Sequence, residues 1–260
     1  MKLTYKNGLS AVEIDQENVN LNRVQEIVDA IYDKEGRVYP IPYSFIKKDN
    51  NDTLNFIMQA CAFYTFPTIE LCEWLSSQID DNPELEPHSA IEICAGTGWI
   101  GRQLGIPTTD LKVQENEVVK GIMKQMIAKP VTYSDDIEKL EAQEAVNKYN
   151  PDIVIGSYVT SMKTIKEINR KKTKYMNIPI GNGFIQQNLM DLAESEIPYF
   201  GVNVEKIIRT CYKTILICNL RTHKYQSYLK LPHKSLSFPW LITRGDNSQS
   251  RIIIFENKSW

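Results

Sequence analysis

The sequence predicts an α/β fold built on a mostly parallel sheet, with a helical region in front of it. Three observations carry this. From Ser89 onward, short apolar runs alternate with helical patterns, which makes strand–helix–strand units whose sheet is covered on both faces. The run Ile91-Glu92-Ile93-Cys94 passes through Ala95-Gly96-Thr97-Gly98 into a helical pattern, and glycines without Cβ let that turn be tight and let a ligand approach the backbone. Near the end, Trp240–Thr243 and Arg251–Phe255 flank the turn-rich Gly245-Asp246-Asn247-Ser248, which reads as an antiparallel β-hairpin.

The elements follow in order. Val24, Ile27, Val28 and Ile31 recur at helical spacing, and residues 53–64 repeat the pattern with Leu54, Ile57, Met58 and Cys61. Pro67 suits the first turn of a third helix reaching about residue 79, with Glu70 and Glu73 near its positive end. The stretch 80–88, with Pro83 and Pro87, reads as a linker, which divides the chain into a helical region at 1–86 and an α/β region at 87–260. Beyond it, strands are expected at 89–94, 111–114, 131–133, 151–155 and 214–218. Helices are expected at 99–105, 117–128, 137–148, 186–194 and 203–211.

Composition limits the function classes. The 260 residues are 42% hydrophobic and 24% charged, an ordinary globular balance. No apolar run approaches the roughly 20 residues of a membrane span, and the N-terminus has no apolar signal core. Cys61, Cys72, Cys94, Cys211 and Cys218 form no C-x-x-C pair and the three histidines are dispersed, so reduced core cysteines, no metal site and a cytoplasmic location are expected. Charge is uneven. Residues 160–260 hold 16 Lys+Arg and 7 Asp+Glu, a balance of +9, while the first 159 hold 14 and 25, a balance of −11. Such asymmetry points to a nucleic-acid or other acidic partner, or to charge complementarity within the protein.

The glycine turn admits two cofactor readings. Gly96-x-Gly98-x-x-Gly101 fits the dinucleotide fingerprint. Against it stand Glu92, four residues before the first glycine, and the roughly ninety residues before the loop. The run Glu92-x-x-x-Gly96-x-Gly98 instead resembles the first motif of class I S-adenosylmethionine (SAM)-dependent methyltransferases, whose Rossmann-like sheet also closes with an antiparallel strand. The resemblance spans about residues 89–260. It implies that Glu92, Cys94, Ala95, Gly96, Thr97 and Gly98 hold the methionine part of SAM. Acids at the next strand ends would hold the rest: Glu115 with Asn116, or Glu117, at the ribose, and Asp135 at the adenine. Asn116 and Asp136 have a second reading as helix caps.

Two segments resemble amino-group DNA methyltransferases. Phe63-Tyr64-Thr65-Phe66-Pro67 is similar to a motif preceding the SAM loop, and implies Thr65 and Pro67 beside the cofactor. After the fourth strand, Gly156-Ser157-Tyr158 stands where that family carries a polar residue, two prolines and an aromatic. Both prolines are missing. Ser157 and Tyr158 are the candidate catalytic residues, Ser157 also touching cofactor and Tyr158 stacking on a base, with packing as the other reading of Tyr158. His223 is a candidate base or a structural histidine. The basic run Lys163–Lys174 would suit phosphates or form a solvated face, and Asn177–Gly183 would be a substrate loop or a connection. The resemblance implies methyl transfer to an acceptor, or a SAM-binding regulatory protein that has lost transfer.

Overall fold

The computed structural model describes residues 2–7, 10–80, 88–117, 119–120, 129–159, 161 and 201–257. It opens with a hairpin of β1 (Lys2–Asn7) and β2 (Ser10–Asp15) that the mixed polar pattern did not announce. Four helices follow: α1 (Leu21–Ile31), α2 (Tyr43–Ile46), α3 (Asn51–Ala60) and α4 (Ile69–Ile79). Asn20 and Asn50 begin α1 and α3 by accepting the Arg23 and Thr53 N–H groups, each three residues on.

The sheet begins with β3 (Ala90–Ile93), which the glycine turn joins to α5 (Trp99–Leu104). Then come β4 (Thr109–Asp110), β5 (Glu138–Lys139), α6 (Ala142–Tyr149) and β6 (Ile153–Ser157). The remaining elements are α7 (Val204–Thr210), β7 (Lys213–Asn219), the short α8 (Leu220–His223), β8 (Lys234–Leu236) and β9 (Ser250–Glu256). Five strands pair in the order β3-β6-β7-β9-β8, with β3, β6 and β7 parallel and β9 antiparallel to both its neighbours. A parallel bridge from Glu92 to Thr108 sets the β4–β5 pair beside β3. The chain thus steps from β3 outward to β4 and β5, then returns to β6 on the other side.

Period-2 alternation buries both faces. Ile153, Ile155, Ile215, Ile217, Ile252 and Ile254 face the α1, α3 and α4 side, so the N-terminal helices share one core with the sheet. Val154, Leu216, Ile253 and Phe255 face α6 and α7. Each such buried apolar side chain contributes about 1.5–3 kcal/mol.

Three expected strands are corrected. Residues 111–114 are not a strand. The Asp110 carboxylate accepts the Lys112 N–H at 2.7 Å and holds Lys112 at φ 55°, which turns the chain off the sheet into a tight 3-10 turn at Val113–Glu115. Residues 131–133 are not a strand either: the Val131 N–H goes to the Gln114 side chain at 2.8 Å, and the edge strand is β5. The third correction concerns the closing hairpin, which is β8–β9 rather than Trp240–Thr243 with β9. With the β9 edge occupied, residues 242–244 pair with 64–66, through Phe66 N–H to Ile242 O and Arg244 N–H to Tyr64 O, both 2.9 Å. The expected helix at 186–194, Asn177–Gly183, the basic run and most of 117–128 lie outside the described residues.

Asn55 clips this join. Fully buried on α3, it donates to Gly245 O at 2.8 Å and accepts from Gly245 N at 2.7 Å. Asn55→Ala strands both backbone groups and should lower stability by about 2–3 kcal/mol in urea unfolding; a loss below about 1 kcal/mol would show that the clip is not needed.

Candidate functional site

Strand order places the site. β3 leads away to one side and β6 to the other, and in open parallel sheets ligands bind at such a switch point, beyond the strand C-termini. Here the two strand ends are Ile93-Cys94 and Ser157-Tyr158. Cys94 (φ 51°) and Tyr158 (φ 58°) are both left-handed without being glycine. The two lie at adjacent strand ends, and left-handed non-glycine backbone of this kind is uncommon.

A cleft sits there, lined by Tyr64, Thr65, Glu92, residues 94–97, Trp99, Ile100 and Ser157. It holds about 20 Å³, room for one water. A nucleoside-sized ligand needs several hundred Å³, so its entry requires the wall to move. A roomier cleft, about 410 Å³, lies between α2 and residues 237–248 and does not include the glycine turn.

The turn is built by two carboxyls. Glu92 is buried, and its Oε2 accepts the Gly101 N–H at 2.8 Å. Burial pushes its pKa up to about 8, with nearby Asp110 adding to the rise and the Gly101 bond and Arg102 opposing it. Asp110, at the end of β4, accepts Gly96 N–H at 3.0 Å, and burial raises its pKa too. Desolvation likewise raises the Cys94 thiol, so it is no thiolate nucleophile at neutral pH. Three backbone N–H groups of the turn and first helical residues, at Thr97, Trp99 and Ile100, have no acceptor among the described residues. The glycines differ in purpose. A Cβ on Gly101 would stand 2.3 Å from Thr108 Oγ1, and one on Gly98 2.9 Å from Ile137. One on Gly96 would meet nothing closer than Val131, at 3.9 Å. Gly98 and Gly101 are thus required by packing as well, whereas at Gly96 (φ 57°) a Cβ would sit at ordinary contact distance, without a clash.

The 63–67 segment arrives at the same place. Thr65 and Ser157, 92 residues apart in sequence, share a hydrogen bond of 2.6 Å. Arg244 supports the segment from behind: its buried guanidinium donates to Met58 O and Phe63 O and lies 4.2 Å from the Tyr64 ring centre. Pro67 is buried and lies outside the cleft, its carbonyl accepting the Ile41 N–H.

The structure therefore brings together Thr65, Glu92, Cys94, Ala95, Gly96, Thr97 and Ser157, with Gly98 closing the turn. It does not bring in the acids expected at the second and third strand ends. Glu115 and Asn116 are exposed on the 3-10 turn, and Asn116 Oδ1 accepts from Val119 N. Asp135 is exposed, and Asp136 pairs with Arg102 instead of capping a helix. That bond holds the Asp136 carboxyl below its ordinary range. The acid that does reach the turn is Asp110, which the sequence reading missed; Thr108-Thr109 before an aspartate was its signal.

Tyr158 is engaged rather than presented. Its phenol, which burial keeps protonated, donates to Arg244 O, and its ring meets Tyr64 at 5.3 Å and the edge of His223 at 4.8 Å. His223 is fully buried, its Nδ1 3.0 Å from Asn219 O. Burial lowers its pKa, so it stays neutral at pH 7.

No protein-family model matches this sequence, and no curated protein sequence does. Among the described residues there is no group of three or more metal-ligating side chains, and no helix is long and apolar enough to cross a membrane.

Proposed function

We propose that this chain is a class I SAM-dependent methyltransferase, acting in the cytoplasm on a nucleic-acid acceptor. The observation that carries the reading is the convergence at the switch point: the Glu92–Gly98 turn, Ser157 and Thr65 line one cleft, in a mostly parallel sheet that ends in an antiparallel strand. The residues suit the cofactor. Gly96 could take a Cβ without a clash, three N–H groups lack acceptors among the described residues, and Glu92 and Asp110 are carboxyls that a cationic ligand would draw toward ionisation. When bound, SAM supplies an activated methyl group, and the protein supplies alignment and charge placement. Ser157, whose side chain bonds Thr65, would orient an acceptor amine or hydroxyl. The charge balance of +9 after residue 160 favours an acidic acceptor.

A second reading has its own support. Without prolines after β6, and with the Tyr158 phenol committed to Arg244 O, the loop after β6 lacks a free stacking aromatic at position 158. That favours a SAM-binding regulatory protein without transfer. Incubation with methyl-tritiated SAM and single-stranded DNA or RNA separates the two. The transferase reading expects label in the nucleic acid, and loss of about 100-fold in Ser157→Ala at saturating SAM. SAM binding without label in either nucleic acid would overturn transfer to nucleic acid and favour the second reading.

A further inference from the structure

Between Glu205 and Asp246 the sequence contains no acidic residue and eight Lys or Arg. Three of these are occupied, Lys213 and Arg244 by burial and Lys234 by pairing with Glu256, and Lys206 and Arg209 lie on α7, before β7. Arg221 and Lys224 are exposed and make no ion pair with the described residues. They sit on one short helical path. The Lys224 N–H closes on Leu220 O, the Gln226 N–H on His223 O, and the spacing of 221, 224 and 225 puts three side chains on neighbouring positions of one face. The third is Tyr225, 80% exposed, with the Lys224 ammonium 4.8 Å from its ring centre. An aromatic ring this open has given up its burial energy, and a flanking cation is what a phosphate beside a stacked base would meet.

The position matters as much as the chemistry. This path leaves the C-terminal end of β7, the same end of the sheet as the cleft. His223, one residue before Lys224, touches Tyr158, which follows Ser157. Gln226, one residue after Tyr225, accepts the Ser161 N–H at 2.8 Å. The exposed ring and its cations are thus tied on both sides to the loop that follows the candidate transfer residue.

We propose that Arg221, Lys224 and Tyr225 form a contact surface for single-stranded nucleic acid, Tyr225 stacking on a base and the two cations meeting phosphates. The assignment deepens the function proposed above, and rests on it for the meaning of the surface's place beside Ser157. Single strands are favoured over duplex because a ring can stack only on a base whose face is free.

Fluorescence anisotropy tests this with a labelled single-stranded oligonucleotide of about 16 residues, DNA and RNA, without cofactor. Wild type should bind at about 50 mM salt and weaken as salt rises. Tyr225→Ala should weaken binding about tenfold, with Tyr225→Phe close to wild type. Arg221→Glu with Lys224→Glu should reduce binding and flatten the salt slope by about 1.4, the value for two phosphate contacts on a single strand. Lys139→Glu, on the far sheet edge, should change nothing. All the substituted side chains at 221, 224 and 225 are exposed, so folding is preserved. The proposal is overturned by absence of wild-type binding, by wild-type binding that these variants leave untouched, or by binding of polyglutamate in preference to the oligonucleotide, which would identify an acidic protein surface as the partner. Because no cofactor is present, failure here leaves SAM binding standing, and failure of SAM binding leaves this surface standing.

Discussion

Glu92→Gln should leave stability at pH 4 nearly unchanged and raise it by several kcal/mol at pH 9. The folded protein holds the Glu92 carboxyl at about 8 against an ordinary value of 4.5, a preference for the protonated form worth on the order of 4–5 kcal/mol. The folded state therefore binds this proton more tightly than the unfolded chain does. Its stabilising effect is complete below pH 4.5, shrinks as pH rises through the interval, and is gone above about 8. Glutamine keeps an oxygen for the Gly101 N–H and carries no titrating proton, so the difference between variant and wild type isolates this one group from Asp110. Urea unfolding of both proteins across pH 4–9 measures it. A difference that stays constant with pH would mean that Glu92 is ionised throughout and that water or a cation reaches it.

The second large effect separates two glycines of one motif. Gly101→Ala puts a Cβ 2.3 Å from Thr108 Oγ1 and 2.9 Å from Glu92 Oε2, inside α5 and against β4. Neither neighbour is a free side-chain end, since Glu92 is fixed by its bond to Gly101 itself. A loss of about 3 kcal/mol or more is expected. Gly96→Ala meets no atom closer than 3.9 Å and bears only the strain of a left-handed alanine, about 1 kcal/mol. The order reverses for ligand: if the turn holds the cofactor as proposed, Gly96→Ala, still folded, should lose cofactor affinity, because its Cβ would stand between ligand and backbone. Thermal unfolding with and without ligand reads both quantities. Equal destabilisation by the two variants would contradict the division.

Legibility in the sequence followed the strength of the local signal. β3, α5, β6, α7 and β7 were readable because long β-branched runs and a double glycine turn leave the backbone little choice. β4 and β5 were not, because each is two residues long and its pairing depends on neighbours, not on its own pattern. Val113 looked like a strand residue, but the Asp110–Lys112 hydrogen bond, a side-chain effect two residues wide, turned the chain first. Trp240–Thr243 had the composition of a strand, but it is residues 242–244 that pair, with 64–66, a partner no local rule identifies. Of the residues that line the cleft, those on the loop and Thr65 had been singled out by motif resemblance, whereas Pro67, named with them, lies outside it. Asp110 was hidden by the misplaced strand, and with it went Glu115 and Asp135, both of which stand exposed. Arg244 was missed for a different reason: a buried arginine whose partners are carbonyl oxygens and a ring leaves no charge pattern in the sequence.

The central claim is that the turn at Glu92–Gly98 binds SAM. Thermal unfolding with SAM, S-adenosylhomocysteine or NAD, for wild type and Gly96→Val, tests it most directly. At 100 times its dissociation constant a ligand stabilises the fold by about 2.7 kcal/mol. The account predicts that shift with SAM and S-adenosylhomocysteine, none with NAD, and its loss in Gly96→Val. A folded wild-type protein that no ligand stabilises, or that only NAD stabilises, would contradict it.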